Sequence, residues 1–226
     1  MITFKDRPSG NLGITFTEMP SIPTGKRRTQ FLTIPGRDGV LTLQDDSLEP
    51  FTLAFEGHAE CTRDALISYF SGSGRLIFDL LPDRYYNVKI IDGVTIGHPL
   101  GDNRLLKFLV VFEFEPFARL INNPLIVVGR EVAVNNSYEL KAYPYFKVEG
   151  SGDLIVKKNG SKVLEVKNIN GYVELDSELN FIHRGYTSME RNSKGIIPIL
   201  DVGMNRLEFI GTGVTTVSIK YNWRFR

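Results

Sequence analysis

One stretch of this 226-residue chain has a convincing helix pattern, and its isolation points to a fold built mainly from strands. The stretch is CTRDALISYFSG, and its apolar residues recur at the spacing of a single helix face. The residues on that face are Ala65, Leu66, Tyr69 and Phe70. Thr62 stands where an N-cap oxygen accepts from the first turn, and Gly72 stands where left-handed backbone ends a helix. We therefore predict one short helix near residues 62–71, with its apolar face, including Leu66 and Phe70, buried against a sheet.

Strand patterns surround this helix. TQFLTI and VLTLQ flank the turn PGRDG and predict a hairpin, and a second hairpin follows the helix around Pro82-Asp83. The clearest strand is 105–115, in which every second residue is apolar. Its other face mixes Leu105, Leu109 and Val111 with charged residues, so we expect that face to be partly exposed or covered by another subunit. The glycine-rich stretch 92–103 is predicted to be a loop.

The pattern changes at Asn122-Asn123-Pro124, where we place a domain boundary. Beyond it, short strands recur at about 8–12 residues, a spacing typical of a β-sandwich. Asn159-Gly160, between strands predicted at 154–158 and 162–166, is a strong hairpin signal. The polar stretch 177–195 shows no period and is predicted to be a long loop. The prediction is a mainly β chain with an N-terminal domain over 1–121 and a C-terminal sandwich over 125–226.

Charge and composition narrow the class of protein. A formal net charge of +1 gives no global field that would select nucleic acid or a membrane. A lone cysteine, Cys61, excludes an internal disulfide framework. No apolar run approaches the roughly 20 residues that cross a bilayer, and the first residues lack a signal-peptide pattern. We expect a soluble protein made in a cytoplasm.

Neither half offers a catalytic or metal-binding constellation. His58, His98 and His183 lie far apart without ligand spacing, and no Gly-x-Ser-x-Gly elbow occurs. We therefore predict no enzymatic activity, no metal and no cofactor. The arginines of the first hairpin are expected to form a small basic patch at one end of it, as solvated surface, as a subunit contact or as a wall facing DNA. These residues are Arg27, Arg28 and Arg37.

The order of features resembles a known family, the distal tail proteins of long-tailed, non-contractile bacteriophages. In the first half, the matching segments are EMPSIPTGKRR, IPGRDGVL, the short helix, LIFDLLPDRYYNVKI and EFEPFA. In the second half, they are NPLIVV, AYPYFKVEGSGD, the Asn-Gly hairpin, VELDSE, DVGMNRLEFIG and NWRFR. The resemblance spans nearly the whole chain.

The resemblance implies a structural role in the virion. It implies a homo-hexameric ring at the tail tip, assembled in the cytoplasm of the host bacterium, with N-terminal domains around a channel for DNA and galectin-like C-terminal sandwiches outside. The implied partners are the tail tube protein, the tape measure protein, and tail-associated hub and receptor-binding proteins. The candidate subunit interface comprises Arg27, Arg28, Arg37, Leu105, Leu109 and Val111.

Two other classes of protein remain open from the sequence. A carbohydrate-binding module that contacts host cell-wall polysaccharide is suggested by Tyr172, Tyr186 and Trp223, aromatic residues of the kind that such modules expose. The sugar-binding signature of galectins, His-x-Asn-x-Arg with a separate Trp-x-x-Glu, is absent from this chain. For a hydrolase, the sequence nominates no residues.

Overall fold

The computed structural model describes residues 1–97 and 105–226. They form two compact units: an N-terminal unit, Met1–Ala118 with Arg226, and a C-terminal unit, Arg119–Phe225. The chain passes between the units at Ala118, a few residues before the Asn122-Asn123-Pro124 break in the sequence. The prediction of a mainly β fold with one short helix is confirmed, since the described residues contain a single α-helix among twenty strands.

The N-terminal unit holds the helix, a 3-10 turn and nine of the strands. These elements are β1 (Ile2–Phe4), β2 (Arg7–Pro8), a 3-10 helix (Ser9–Leu12), β3 (Ile14–Phe16), β4 (Arg27–Leu32), β5 (Leu41–Leu48), β6 (Phe51–Ala59), α1 (Arg63–Tyr69), β7 (Ser73–Phe78), β8 (Arg84–Ile96) and β9 (Leu106–Phe114). Seven strands lie in one sheet in the order β2-β1-β7-β8-β9-β6-β3. Strands β4 and β5 form a separate two-stranded sheet.

The sheet formed by these strands curls around an aromatic core. Phe55 on β6 and Phe78 on β7 are three strand spacings apart, about 14 Å in a flat sheet. Their ring centroids are nevertheless only 6.3 Å apart. Phe4 on β1 and Phe112 on β9, also three spacings apart, approach to 5.3 Å. The sheet therefore folds its aromatic face inward.

Helix α1 covers this core as the sequence predicted. Thr62 caps it, its Oγ1 accepting from the backbone N–H of Ala65 at 3.3 Å. Leu66 and Phe70 are buried, so that prediction is confirmed. Tyr69 is buried as well, and its hydroxyl donates to the carbonyl of Arg7 at 3.0 Å. Burial raises the pKa of Tyr69 to about 12.

The remaining strands begin at the division between the units. They are β10 (Ala118–Leu120), β11 (Ile126–Val128), β12 (Glu131–Asn136), β13 (Tyr145–Lys158), β14 (Ser161–Asp176), β15 (Phe181–Arg184), β16 (Thr187–Ser188), β17 (Ser193–Gly195), β18 (Gly203–Ile210), β19 (Gly213–Lys220) and β20 (Arg224–Phe225). Within the C-terminal unit, one ladder runs β11-β19-β13-β14-β15-β16, and β18 also pairs with β13 and β12.

Two long strands build both layers of this unit. The first half of β13 pairs with β19, and its second half pairs with β18. Buried residues of both halves, such as Phe146 and Val156, belong to one hydrophobic cluster, so the β13–β14 hairpin folds over on itself. At the bend, Gly150 has a φ of +150°, and a Cβ there would lie 2.2 Å from the carbonyl oxygen of Gly213. Only glycine fits this close approach of two backbones.

This bend corrects the sequence prediction of several short strands. The sequence pattern predicts separate strands at 145–149 and 154–158 around a GSGD turn, yet these residues form the single strand β13. The predicted loop at 177–195 is also wrong, because it contains β15, β16, a 3-10 helix (Glu190–Asn192) and β17. The predicted loop at 92–103 is wrong in its first part, where β8 continues through a bulge to Ile96. Its remainder from His98 onward lies outside the described residues.

Candidate subunit interface

The β4–β5 hairpin, here called the arm, exposes apolar side chains on both faces. Leu32 pairs with Leu41 and Gln30 with Leu43, which places the three leucines on one face. Phe31, opposite Thr42, lies on the other face and is 67% exposed. Further exposed apolar residues, Ile34 and Val40, flank the turn that joins the two strands. Neither face of the arm is covered within the described chain.

The edges of the arm are also open. Among the described strands, β4 and β5 pair only with each other. An isolated two-stranded hairpin is marginally stable at best in water, and unpaired strand edges are templates for further pairing. Both the bare faces and the bare edges therefore favour a second chain against the arm.

The predicted basic patch does not form as a single cluster. Arg27 begins β4 and pairs with Leu48 at the base of the arm, and Arg28 follows it. Arg37 lies in the turn at the far end, where its N–H donates to the carbonyl of Ile34 at 3.1 Å. Because a strand rises about 3.3 Å per residue, the six residues of β4 separate the two ends by about 20 Å. All three arginines are exposed, but they serve opposite ends of the arm.

Local contacts set the charge state of the arm. Asp45 accepts from Ser47 through both the hydroxyl and the backbone N–H. These hydrogen bonds, with a smaller contribution from Arg28, lower the pKa of Asp45. The arm thus presents fixed charges of both signs beside its apolar residues.

The second candidate surface is the outer face of β9. The alternation predicted for this strand is confirmed: Phe108, Val110 and Phe112 are buried. On the opposite face, Leu109 is 41% exposed, and Leu105 and Val111 are half-buried. The neighbouring strands place Glu56 and Thr95 beside Leu109, and Lys107 forms an ion pair with Glu56. This face is a small apolar strip bordered by charge.

The other side chains that the sequence singled out lie in separate places. Trp223 stacks on Tyr221 with ring centroids 5.0 Å apart and packs against the C-terminal core. Tyr172 and Tyr186, in contrast, lie on the surface of the C-terminal unit. His58 is on β6 and His183 is on β15, whereas His98 lies outside the described residues. Over residues 1–97 and 105–226, no group of three acidic, histidine or cysteine side chains is placed to hold a metal ion.

Sequence reasoning identified the arm but missed its apolar exposure. TQFLTI and VLTLQ have the β-rich composition of ordinary strands, and nothing in the two segments marks their leucines as exposed. The only available signal was the lead-in 18–26, with Pro20, Pro23 and Gly25, an extended connector that carries the hairpin away from regular structure.

Comparison with known proteins bears on the fold. No family model and no curated protein matches the sequence. The crystal structure of SPP1 Dit (gp 19.1), described as a paradigm of the hub adsorption apparatus in phages that infect Gram-positive bacteria, matches with a TM-score of 0.74. The match covers 98% of each chain at 13% sequence identity. The chain has the fold of a phage hub protein.

The Dit-like fold agrees with the resemblance seen in the sequence and extends over both units. Because 13% identity is too low to align functional side chains, the match is evidence for the architecture. None of the helices in the described ranges is long and apolar enough to span a membrane.

Proposed function

We propose that this chain is a structural protein of a phage tail tip, in which six copies close into a ring that joins the tail tube to the host-recognition apparatus. The observation that supports this most directly is the arm, an apolar hairpin with two bare faces and two open edges. A Dit-like fold over 98% of the chain supports the same assignment.

The ring requires a heterologous interface, in which one surface meets a different surface of the next copy and the rotation closes. In our proposal, the arm of one copy lies on the outer face of β9 in its neighbour. Leucines on the arm would meet Leu109 and Val111, while Arg27 and Arg28 at its base would face carboxylates such as Glu56 and Glu113. The exposure of leucines on both surfaces, Leu32 and Leu43 on the arm and Leu109 on β9, supports this pairing.

The remaining partners follow from a ring at this position. The tail tube and tape measure proteins would contact the ring on its upper side, and hub and receptor-binding proteins on its outer and lower sides. DNA would pass through the channel during ejection without sequence-specific contact. The protein would therefore act as a non-enzymatic connector in the virion.

The solution mass of the full-length chain tests the proposal. We expect light scattering to give a mass of about six chains, in a concentration-dependent equilibrium with the monomer. Leu43→Glu on the arm and Leu109→Glu on β9 each place a charge in the proposed interface, so each should weaken assembly about 30-fold or more. Leu179→Glu is the matched control, because Leu179 is 73% exposed in a turn of the C-terminal unit.

Some outcomes would contradict the proposed ring. If the parent chain stayed monomeric at every accessible concentration, the proposal of a ring would be wrong. Equal assembly of the Leu43→Glu variant and the parent would exclude the arm from the contact. Weakening by Leu179→Glu alone would move the interface to the C-terminal unit and reverse the assignment of the two domains.

A further inference from the structure

The outer face of strands β13, β14 and β15 carries an ordered array of aromatic and polar side chains. Alternate residues of these strands, including Phe146, Leu175 and Ile182, are buried in the core, so the intervening side chains lie on the opposite face, where they are partly exposed. Strand register places the outward residues in three rows. The rows are Tyr145–Asp176–Phe181, Lys147–Glu174–His183 and Glu149–Tyr172. We call this array the aromatic–polar face.

Glu174 is the fixed centre of the aromatic–polar face. One of its oxygens accepts from the hydroxyl of Tyr145, and the other accepts from the backbone N–H of Gly185 at 3.0 Å. His183 Nδ1 lies 3.3 Å from that second oxygen and 2.9 Å from the carbonyl oxygen of Gly185. Burial raises the pKa of Glu174, but the hydrogen bonds from Tyr145 and Gly185 outweigh it and the net pKa is lowered. The central carboxylate is thus ionised and held in one orientation at neutral pH.

Two tyrosines stand at one end of the face. The β15–β16 hairpin turns at Gly185, whose φ is +56°, and the next residue, Tyr186, is completely exposed. A Cβ at Gly185 would lie 3.4 Å from the hydroxyl of Tyr172, so Tyr172 adjoins this hairpin tip. Lys147 Nζ lies 5.1 Å from the centre of the Tyr172 ring. Glu174, through Gly185, therefore ties the exposed tyrosine to the rest of the face.

A third aromatic element closes the opposite end. The Phe181 ring stacks on the His183 imidazole with centroids 5.1 Å apart and an interplanar angle of 19°. Rings and hydrogen-bonding groups consequently alternate across three strands. Tyrosine rings offer rigid, amphipathic contact area at a low cost in conformational entropy.

We propose that the aromatic–polar face binds a neutral saccharide. A sugar ring presents C–H groups on its faces and hydroxyl groups around its rim. These match the exposed ring of Tyr186 and the half-buried rings of Tyr172 and Phe181, which are interleaved with carboxylate, amine and imidazole groups. A few well-placed polar groups among aromatic side chains are the usual composition of a ligand site. The site is formed by this chain's own residue set and does not use the galectin signature, which the chain lacks.

Charge and composition disfavour other ligands. The three rows contain one cation, Lys147, and three carboxylates, Glu149, Glu174 and Asp176, so a polyanion would be repelled. Lys147 is moreover paired with Glu149 at 3.2 Å. The interleaved charges also interrupt the contiguous apolar centre that is typical of a protein interface. A neutral glycan remains the best match.

Saturation-transfer NMR on the full-length chain tests this proposal. The probes are three neutral tetrasaccharides (β-1,4-linked N-acetylglucosamine, maltotetraose and cellotetraose) and a sulfated heparin tetrasaccharide as the charged comparator. We expect transfer to at least one neutral probe, strongest at its C–H protons. Tyr172→Ala and Tyr186→Ala should each weaken binding about three- to tenfold, the contribution expected of one ring contact. Tyr186→Phe keeps the ring and should weaken binding less than Tyr186→Ala.

Three outcomes would contradict the proposed saccharide site. No transfer to any of the three neutral probes would do so, as would transfer to the heparin tetrasaccharide alone. Undiminished transfer in a Tyr172→Ala/Tyr186→Ala double variant would place the sugar elsewhere. Ile196→Ala is the control, since Ile196 is exposed and follows β17, which pairs with the other end of β14. Tyr186 is fully exposed, so its substitution tests the site without threatening the fold, and ring assembly is measured separately by mass.

Discussion

Two hairpins of this chain, β4–β5 and β13–β14, have similar sequence patterns but differ in the burial of their side chains. Both are antiparallel, contain apolar residues typical of strands, and close through a turn that contains glycine. In β13–β14 every second side chain over most of the length enters the core, including Leu164 and Val173. In β4 no side chain is buried.

The difference comes from what each hairpin meets. Strands β13 and β14, of 14 and 16 residues, are long enough to bend at glycine and cover themselves. Strands β4 and β5, of six and eight residues, pair only with each other and with no strand of the N-terminal sheet. The β13–β14 hairpin therefore contributes to the stability of its own chain, whereas the arm can contribute only when another molecule covers it.

The largest expected contrast is between core and arm phenylalanines. Phe146 is fully buried beside Phe209, with ring centroids 5.6 Å apart, so Phe146→Ala should lower the free energy of unfolding by about 3–5 kcal/mol. Phe31→Ala on the arm should change it by about 0.5 kcal/mol or less in the monomer. Calorimetry on dilute protein measures both, and fluorescence of Trp223, the only tryptophan, follows the C-terminal unit.

A different result would refute the comparison. If Phe31→Ala cost the monomer as much as Phe146→Ala, the arm would be packed against its own chain. The comparison would be strengthened if Phe31→Ala lowered the stability of the protein only at concentrations where the parent is assembled.

This contrast also marks what the sequence could predict. Asn159-Gly160 and the flanking alternation correctly placed the turn of β13–β14, because hairpin geometry is local. The strands predicted from the pattern at 145–149 and 154–158 merge into β13, and those at 162–166 and 172–176 merge into β14. This merging could not be foreseen, since Gly150 and Gly152 have the same sequence signature in a turn as in a bend. Whether the ladder continues past them depends on β18 and β19, which are more than 50 residues away.

The candidate interface was predictable to a similar extent. The alternation of β9 gave both its buried face and the exposure of Leu109, because a period of two fixes which residues share a face. The exposure of Leu32 and Leu43 was not predictable, because it depends on the absence of anything packed against them. The same holds for the aromatic–polar face, which joins Tyr145, Glu174 and His183 only once the strand register is known.

The second expected contrast is between glycines of the two hairpins. Gly150→Ala would force a Cβ against the backbone of Gly213 and should cost about 1–3 kcal/mol. In the arm, Gly36 has a φ of +79° and open space around it. The only cost of Gly36→Ala is therefore the left-handed backbone conformation that alanine would have to adopt. Urea unfolding followed by Trp223 fluorescence should shift for Gly150→Ala. The strain of Gly36→Ala is confined to the arm, so this signal, which follows the C-terminal unit, should stay unchanged. Equal midpoints for Gly150→Ala and the parent would mean that the bend tolerates a side chain.

The smallest expected contrast concerns carboxylates on the two hairpins and pH. The folded pKa of Glu174 is below its unfolded value, so its ionised form stabilises the fold at pH values above the unfolded pKa of about 4.3. That contribution is lost as the pH falls through the folded pKa. Glu174→Gln removes the charge but keeps the shape, and at pH 7 it should lower the free energy of unfolding by about 1 kcal/mol. The gap between variant and parent should close as the pH falls below about 4.

Asp45→Asn on the arm is the matched control for this titration. The pKa of Asp45 is also lowered, chiefly by hydrogen bonds from Ser47, but its carboxylate is fully exposed to solvent. Solvent screening should leave the unfolding of the Asp45→Asn variant equal to that of the parent at every pH. A gap for Glu174→Gln that widens toward low pH would reverse the sign of its linkage and contradict the hydrogen bonds assigned to it. A pH-dependent loss for Asp45→Asn in the monomer would instead show that the arm is held by its own chain, and the contrast between the two hairpins would fail.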